Sequence, residues 1–177
     1  MGTKFSTRIW VSVVGIASIF FGSKGYADTV ISVADFGLKP DTRENAVAYV
    51  QKAIEACRGK EPVTLVFPEG RYDFWPQYAH EKNYYETNTY DVFPKRLAML
   101  FEGLHNITVD GNGSQFVMHD RIQPITVENC DGVTLKNFSI DWDIPLTAQA
   151  RVTKVGSDFF EIEINVLESP YIIEDGK

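Results

Sequence analysis

The sequence is poor in cysteine and histidine, and this scarcity excludes several kinds of scaffold and site. Its 177 residues include two cysteines, Cys57 and Cys130, which are too few for a fold held together by disulfides. The three histidines, His80, His105 and His119, lie far apart, and no cysteine or histidine cluster has the spacing of a zinc site. We therefore expect a fold held by its apolar core and no bound metal.

Basic residues are also scarce compared with acidic residues. The chain has 17 lysines and arginines against 24 aspartates and glutamates, a net charge of −7. Without residues 1–27, which include three basic and no acidic residues, the counts become 14 and 24 and the net charge becomes −10. An acidic surface repels nucleic acid and anionic membranes, so neither is an expected partner. The acidic surface also disfavours a polyanionic substrate, so a neutral ligand agrees better with the charge of the chain.

A long apolar run occurs only at the N terminus. Residues 9–21 form this run, which follows Lys4 and Arg8 and precedes the small-residue sequence Gly25-Tyr26-Ala27. This order is typical of a secretory signal peptide over residues 1–27, although an uncleaved N-terminal anchor is the alternative. A membrane-spanning helix would need about 20 apolar residues. We expect the mature chain to be exported to the periplasm or the extracellular space, without stable membrane insertion.

A sequence repeat of about ten residues occurs twice in the chain. Leu104–Gly113 is similar to Asn129–Phe138, and in each copy a short β-branched strand lies beside Asn, Asp and Gly turn residues. Such self-similarity predicts an all-β solenoid of stacked coils, in which Ile107 and Val109 face inward and Thr108 faces outward. The predicted coil strands are short and apolar: residues 97–101, 107–109, 115–118, 125–127, 133–135 and 138–140.

The residues before these coils predict a cap for the open end of the solenoid. A strand over 30–36 is followed by a helix that begins at Asp41, with Glu44 completing a capping box, and that ends at Gly59. A second strand is predicted over 62–67 and a long aromatic-rich loop over 71–95. The helix has one apolar stripe, formed by Val47, Val50, Ile54 and Cys57.

After the coils, the pattern predicts an antiparallel hairpin over 151–166, with a turn at Gly156-Ser157-Asp158. We interpret this hairpin as the start of an antiparallel β insertion or second domain. The predicted organisation is therefore a signal peptide over 1–27, a cap and aromatic loop over 28–96, the first β-helix coils over 97–150, and the start of the insertion over 151–177.

The sharpest catalytic candidates are two carboxylates that flank a tryptophan. With Ile140 facing inward, Asp141 and Asp143 face outward together, roughly 6–7 Å apart along the strand, near the carboxyl spacing of an inverting glycosidase. One would protonate the leaving oxygen and the other would activate water, with Trp142 helping to exclude solvent. The alternatives are that this Asp-x-Asp is a turn former or solvated pair, or that one true carboxylate comes from another coil.

Three further motifs have structural as well as functional interpretations. Trp75 and the other aromatic rings of 71–95 can stack on sugar faces or simply pin the loop to the solenoid. Residues 110–113, Asp-Gly-Asn-Gly, lack the later glutamate of a calcium loop, so turn chemistry accounts for them better. His119-Asp120-Arg121 is better explained by a network that stabilises the coils than by a site.

Two segments resemble the N-terminal cap of pectate-lyase-like right-handed parallel β-helix proteins. They are Val33–Asp41, with the helix that follows it, and Val66–Tyr72. The resemblance implies a right-handed parallel β-helix with an N-terminal capping helix. Because lyases, hydrolases and phage tailspikes share this cap, the resemblance does not select an activity.

A closer resemblance, over nearly all of the mature chain, is to glycoside hydrolase family 110, the exported bacterial α-1,3-galactosidases. It is carried by Asp73–Pro76, Ile107–Ser114, His119–Arg121 and Asn137–Pro145. This resemblance implies inverting hydrolysis of terminal α-1,3-linked galactose on blood group B type glycans, without a metal or organic cofactor.

The same resemblance predicts that the chain is only part of such an enzyme. Members of that family are several times longer, so the expectation is that this chain is the N-terminal portion and is inactive alone. Its last residue is Lys177. The true catalytic carboxylates are then expected in later coils, beyond Lys177, which is the alternative to the pair of Asp141 and Asp143.

Two other functions are consistent with the same predicted scaffold. A polysaccharide lyase would need a basic proton abstractor and often calcium, and the acidic balance of the chain disfavours it. A non-catalytic carbohydrate-binding or adhesin module would bind galactosides without turnover. Substrate binding through Trp75 and Trp142 is compatible with either a hydrolase or a binding module.

Overall fold

The structure is a computed structural model that describes residues 29–83 and 93–171, and most of its regular structure is β-strand. The predicted signal peptide over 1–27 lies outside the described residues, as does the end of the predicted insertion, from residue 172 to Lys177. No helix in the described ranges is long and apolar enough to cross a membrane. The elements are β1 (Thr29–Ser32), a 3₁₀ helix (Val33–Phe36), α1 (Val47–Cys57), β2 (Val63–Val66), β3 (Arg71–Phe74), β4 (His80–Lys82), β5 (Lys95–Glu102), β6 (His105–Met118), β7 (Gln123–Glu128), β8 (Asp131–Trp142), β9 (Ala150–Val155) and β10 (Phe160–Ile164).

Successive passes of the chain pair side by side in parallel, as the repeat predicts. The first halves of β6 and β8 continue the ladder of β1 and β2, so that Leu65, Val109 and Leu135 lie in one row. The second half of β6 pairs with β3 and with the second half of β8, beyond a register shift between Asp110 and Ser114. A separate sheet contains β5 paired in parallel with β7, and β4 paired antiparallel with β5. The predicted all-β architecture with parallel strands is therefore confirmed.

The core follows the alternation predicted for the coil strands. Ile107 and Val109 are fully buried, while Thr108 between them is partly exposed. Leu135, which pairs with Val109 in the next strand, is 40% exposed and is therefore not buried as Val109 is. The physical reason is its place in the ladder: within the described residues β8 pairs only with β6, and its far edge carries no further strand.

Two predictions about the first elements need correction. The strand predicted over 30–36 ends at Ser32, where a 3₁₀ turn begins with a capping box formed by Ser32 and Asp35. The helix begins at Val47 rather than at Asp41, and the capping box of Asp41 with Glu44 is absent. Asp41 has a positive φ of 62°, and its carboxylate instead accepts the backbone N–H of Arg71 at 2.9 Å.

The apolar stripe of α1 is buried as predicted. Val47, Val50 and Cys57 are fully buried, and Ile54 is almost so. Both cysteines are free thiols. The Cys57 thiol contacts the carbonyl of Ala53 one turn earlier, so it packs as a small apolar residue of the core.

The predicted long loop over 71–95 is wrong for its first residues, because Arg71–Phe74 is a strand of the core sheet. Tyr72 and Phe74 point inward and are buried, which is the alternation of a strand. Residues 80–82 also form a strand, and residues 84–92 lie outside the described residues.

The predicted hairpin is confirmed as the antiparallel pair of β9 and β10. A hydrogen bond from the Gly156 N–H to the Phe159 carbonyl, at 2.8 Å, closes its turn. That this hairpin starts an insertion or second domain extending to Lys177 stays a prediction.

Candidate active site

The outward side of the β3–β6–β8 sheet carries a row of polar and aromatic side chains where the strands end. The ladder pairs Phe74 with Met118, and Met118 with Trp142. Two more hydrogen bonds extend it: His119 N–H to the Phe74 carbonyl at 2.9 Å, and Asp143 N–H to the Met118 carbonyl at 3.0 Å. Trp75, His119 and Asp143, the residues that directly follow this row, therefore come from three neighbouring strands and lie side by side on the outward face of this sheet, which we call the outer wall.

The outer-wall cluster consists of Arg71, Asp73, Trp75, His119 and Asp143. Asp73 is its buried centre, with only 1% of its surface exposed. Arg71 donates to both of its oxygens, from Nη2 to Oδ1 at 2.6 Å and from Nε to Oδ2 at 3.0 Å. His119 Nε2 lies 2.8 Å from Oδ1, and Arg43 lies 3.7 Å away. Burial raises the pKa of Asp73, but the hydrogen bonds from Arg71 and His119 outweigh burial and hold that pKa below its ordinary value. Asp73 is thus a charged anchor.

The segment before α1 covers this anchor from one side. It runs beside the free edge of β3, where Asp41 N–H donates to the Arg71 carbonyl and Ala46 N–H to the Asp73 carbonyl, each at 2.8 Å. The Asn45 side chain holds the backbone of Trp75, accepting from its N–H at 3.3 Å and donating to its carbonyl at 3.4 Å. These contacts explain why a carboxylate on the outer wall is buried.

The His119 ring is clamped in place. It stacks on the indole of Trp75, with ring centroids 3.9 Å apart and an angle of 7° between the planes. Its Nε2 faces Asp73, and its Nδ1 lies 3.8 Å from Asp143 Oδ2. The position and plane of the imidazole are therefore set by partners on neighbouring passes of the chain.

Asp143 is the exposed end of the cluster, with 45% of its side chain accessible to solvent. Its Oδ1 accepts a hydrogen bond from Arg71 Nη2 at 3.1 Å. Arg71 consequently bridges the buried Asp73 and the exposed Asp143, and both hydrogen bonds, that to Asp73 first, raise the pKa of its guanidinium. Asp143 is held in an oriented position from which it can meet a ligand.

The other residues singled out from the sequence have different surroundings. Asp141 is exposed, and its Oδ1 accepts the backbone N–H of Trp142 at 2.8 Å. Trp142 lies in the inward row beside Met118, packs against the apolar core, and donates from its indole N–H to the Asp120 carbonyl at 3.2 Å. The structure therefore brings Trp75 and Asp143 together around His119, whereas Trp142 lies on the inner side.

His119 belongs to a hydrogen-bonded network, as the sequence predicts. The sequence does not predict its partners in that network, Asp73 and Arg71. The sequence pattern predicts a loop over 71–95, and a loop assigns no common outward face to Arg71 and Asp73. The one available signal was the alternation of charged Arg71 and Asp73 with aromatic Tyr72 and Phe74. Among the described residues, no group of three or more His, Cys, Asp or Glu side chains is arranged to hold a metal ion.

The Asp-Gly-Asn-Gly motif lies within β6, where an Asx turn at Asp110 agrees with the predicted turn chemistry. Asp110 Oδ1 accepts from the backbone N–H of Asn112 at 3.0 Å and from Asn137 Nδ2 at 2.9 Å. The bond from Asn137 is the main reason that the pKa of Asp110 is lowered. Asn112 and Gly113 have φ of 49° and 85°, the left-handed conformation that Asn and Gly tolerate best. The motif lies at the register shift between the two halves of β6.

The sequence is similar to several known proteins, although no protein-family model matches it. It is 61% identical over 149 residues to alpha-1,3-galactosidase B of Bacteroides thetaiotaomicron, a match that covers 84% of this chain and 24% of that protein. Over most of its length, this chain is similar to alpha-1,3-galactosidases. Alpha-1,3-galactosidase A of Shewanella woodyi is 36% identical over 83% of the chain, and alpha-1,3-galactosidase B of Phocaeicola vulgatus is 35% identical over 88%.

The chain spans about a quarter of the length of these curated alpha-1,3-galactosidases: 24% of the first two and 25% of the third. The similarity therefore concerns one region of them. The described residues end at Tyr171. The expectation that the true catalytic carboxylates lie beyond Lys177 therefore stays a prediction.

Proposed function

We propose that this chain is part of an exported glycoside hydrolase that removes terminal α-1,3-linked galactose from blood group B type glycans. The observation that carries the proposal is the 61% identity, over 84% of the chain, to a protein named alpha-1,3-galactosidase B. The other relatives compared have the same name with the suffix A or B. These names favour a hydrolase over a lyase or an adhesin.

The scaffold in this proposal is a right-handed parallel β-helix. Three registers support it: Val63 pairs with Ile107 and then Val133, Arg71 with Gln115 and then Ser139, and Leu97 with Gln123. In a β-helix each of these rows belongs to one wall, and the outer wall offers a long surface to an extended ligand. The polar cluster of Arg71, Asp73, His119 and Asp143 lies on such a wall.

The chemistry in this proposal is inversion by two carboxylates without a metal or organic cofactor. An inverting glycosidase separates its acid and base by about 6.5–9.5 Å so that water fits between the base and the sugar. Asp141 and Asp143 are both exposed, roughly 6–7 Å apart for alternate residues of one strand. They remain the catalytic candidates of this chain. The alternative is that one or both true carboxylates lie beyond Lys177, in the part of the relatives that this chain does not match.

The experiment measures galactose released from α-1,3- and α-1,4-linked galactobiose by the full-length gene product and by this 177-residue chain. We expect the full-length product to release galactose preferentially from the α-1,3 linkage and the chain alone to release none. Binding of galactosides without release at any pH would favour a carbohydrate-binding module. Unsaturated, ultraviolet-absorbing products would favour a lyase. Export is tested by locating the protein in cell fractions, where a cytoplasmic location would contradict it.

A further inference from the structure

The outer-wall cluster contains two hydrogen-bond acceptors that face each other. The Asp73 carboxylate is ionised, since its pKa lies below the ordinary value, and an ionised carboxylate only accepts. The contact of 2.8 Å between His119 Nε2 and Asp73 Oδ1 therefore requires the proton on Nε2. In a neutral imidazole with that proton, Nδ1 is an acceptor. Nδ1 lies 3.8 Å from Asp143 Oδ2, which is also an acceptor.

Two arginines contact the two carboxylates that lie beside His119. Asp73 and Asp143 supply two negative charges, and Arg71 and Arg43 supply two positive charges. Arg71 contacts both carboxylates, at 2.6 and 3.1 Å. With the imidazole neutral and its proton on Nε2, Nδ1 and Asp143 Oδ2 are a matched pair of acceptors 3.8 Å apart.

We propose that His119 Nδ1 and Asp143 Oδ2 form a subsite that binds two adjacent hydroxyl groups of a pyranose ring. Adjacent hydroxyls supply two donors at neighbouring positions, one for each acceptor. Asp73 is a positioning residue, because it fixes the tautomer of His119, and the stacked Trp75 fixes the plane of the ring. That the pyranose is a galactoside rests on the proposed function. In this role Asp143 binds the sugar, which raises affinity whether or not it also transfers a proton.

The accessibility of the subsite is consistent with this role. The Asp143 side chain is 45% exposed and that of His119 is 15% exposed, so one acceptor lies at the surface and the other just beneath it. Both are held by neighbouring groups: Asp143 by Arg71, and His119 by Asp73 and Trp75. A preorganised pair of this kind binds a ligand without losing much side-chain entropy on binding.

The test titrates methyl α-galactopyranoside into the 177-residue chain and measures the Kd by NMR for the wild type and three variants. H119Q keeps an amide donor near Asp73 but has no counterpart of Nδ1, and D143N removes the charged acceptor. D120N is the matched control. It removes the same charge one residue from His119, at a backbone φ of 57° that asparagine adopts readily. We expect D120N to bind like the wild type, and H119Q and D143N to bind about tenfold more weakly or worse.

Two results would overturn the subsite: a wild-type chain that does not bind the galactoside, or equal Kd values for wild type, H119Q and D143N. Equal Kd values would mean that water, and not the sugar, occupies the space between His119 Nδ1 and Asp143 Oδ2. Since Asp143 is nearly half exposed, we expect D143N to fold. If H119Q does not fold, the Kd of D143N alone tests the subsite. A second readout is the ¹⁵N shift of the His119 ring, where the Nε2-protonated tautomer supports the subsite and the Nδ1-protonated tautomer refutes it. The titration needs no hydrolysis, so failure of the proposed activity is a separate result.

Discussion

Replacing Asp73 by asparagine tests whether the buried carboxylate holds the outer-wall cluster together. The substitution keeps the shape of the side chain but removes the charge that accepts hydrogen bonds from Arg71 Nε and Nη2 and from His119. Breaking a fully buried ion pair costs about 3–5 kcal/mol, because a charge is left uncompensated. Arg71 is 21% exposed and keeps Asp143 as a partner, so we expect a smaller loss of about 2–3 kcal/mol in the free energy of unfolding.

The assay is urea unfolding of dilute protein followed by circular dichroism, with Asp131→Asn as the control. Asp131 is exposed, so this control removes the same charge and is expected to change the free energy of unfolding by less than about 0.5 kcal/mol. A loss for D73N as small as that of the control would mean that Asp73 contributes no more to stability than a surface residue, contrary to this prediction.

The D73N variant also tests how the contribution of Asp73 to stability depends on pH. The pKa of Asp73 is lower in the folded chain than in the unfolded chain, where it is about 3.9. Its ionised form therefore stabilises the fold above about pH 4, and this contribution is lost as the pH falls through the folded pKa. We expect the difference in stability between wild type and D73N to be constant from about pH 5 to 8 and to shrink below about pH 4. A difference that persists unchanged into strong acid would contradict this assignment.

Three further predictions concern packing and surface. Burial raises the pKa of Cys57 to about 11, so its thiol should not react with a disulfide reagent at about pH 8 until urea unfolds the chain, and rapid reaction of the folded protein would contradict this. A Cβ at Gly111 would lie 2.5 Å from Phe138 Cβ, so G111A should lower the free energy of unfolding by about 1–3 kcal/mol, measured against an exposed Ser157→Ala control. Leu135 is exposed on β8, which among the described residues pairs only with β6, so the chain should self-associate with rising concentration in light scattering and L135K should do so less; a monodisperse wild type would count against this.

The strand pattern of the coils was predictable because it is local. In residues 107–109 and 133–135, two apolar residues flank a central threonine beside Asn and Gly turns, and these residues occupy paired positions of β6 and β8. The apolar stripe of α1 was predictable for the same reason, since helical periodicity appears within a dozen residues.

The start of the helix and the polar cluster were not predictable, because both depend on contacts far apart in sequence. Asp41 looks like a helix cap, but its backbone and side chain bind Arg71, thirty residues later, and hold the chain out of a helix. Asp73 and His119 meet across 46 residues. Their meeting follows only once Phe74 is known to pair with Met118, and that register is set by the packing of whole coils.

We propose above that this chain is part of a hydrolase that cleaves α-1,3-linked galactose with inversion at the anomeric carbon. The most direct measurement follows the reaction of the full-length gene product with an α-1,3-linked galactoside by proton NMR, before the released galactose mutarotates. We expect β-galactose to appear first. If α-galactose appears first, or if no galactose is released, the proposed function is wrong.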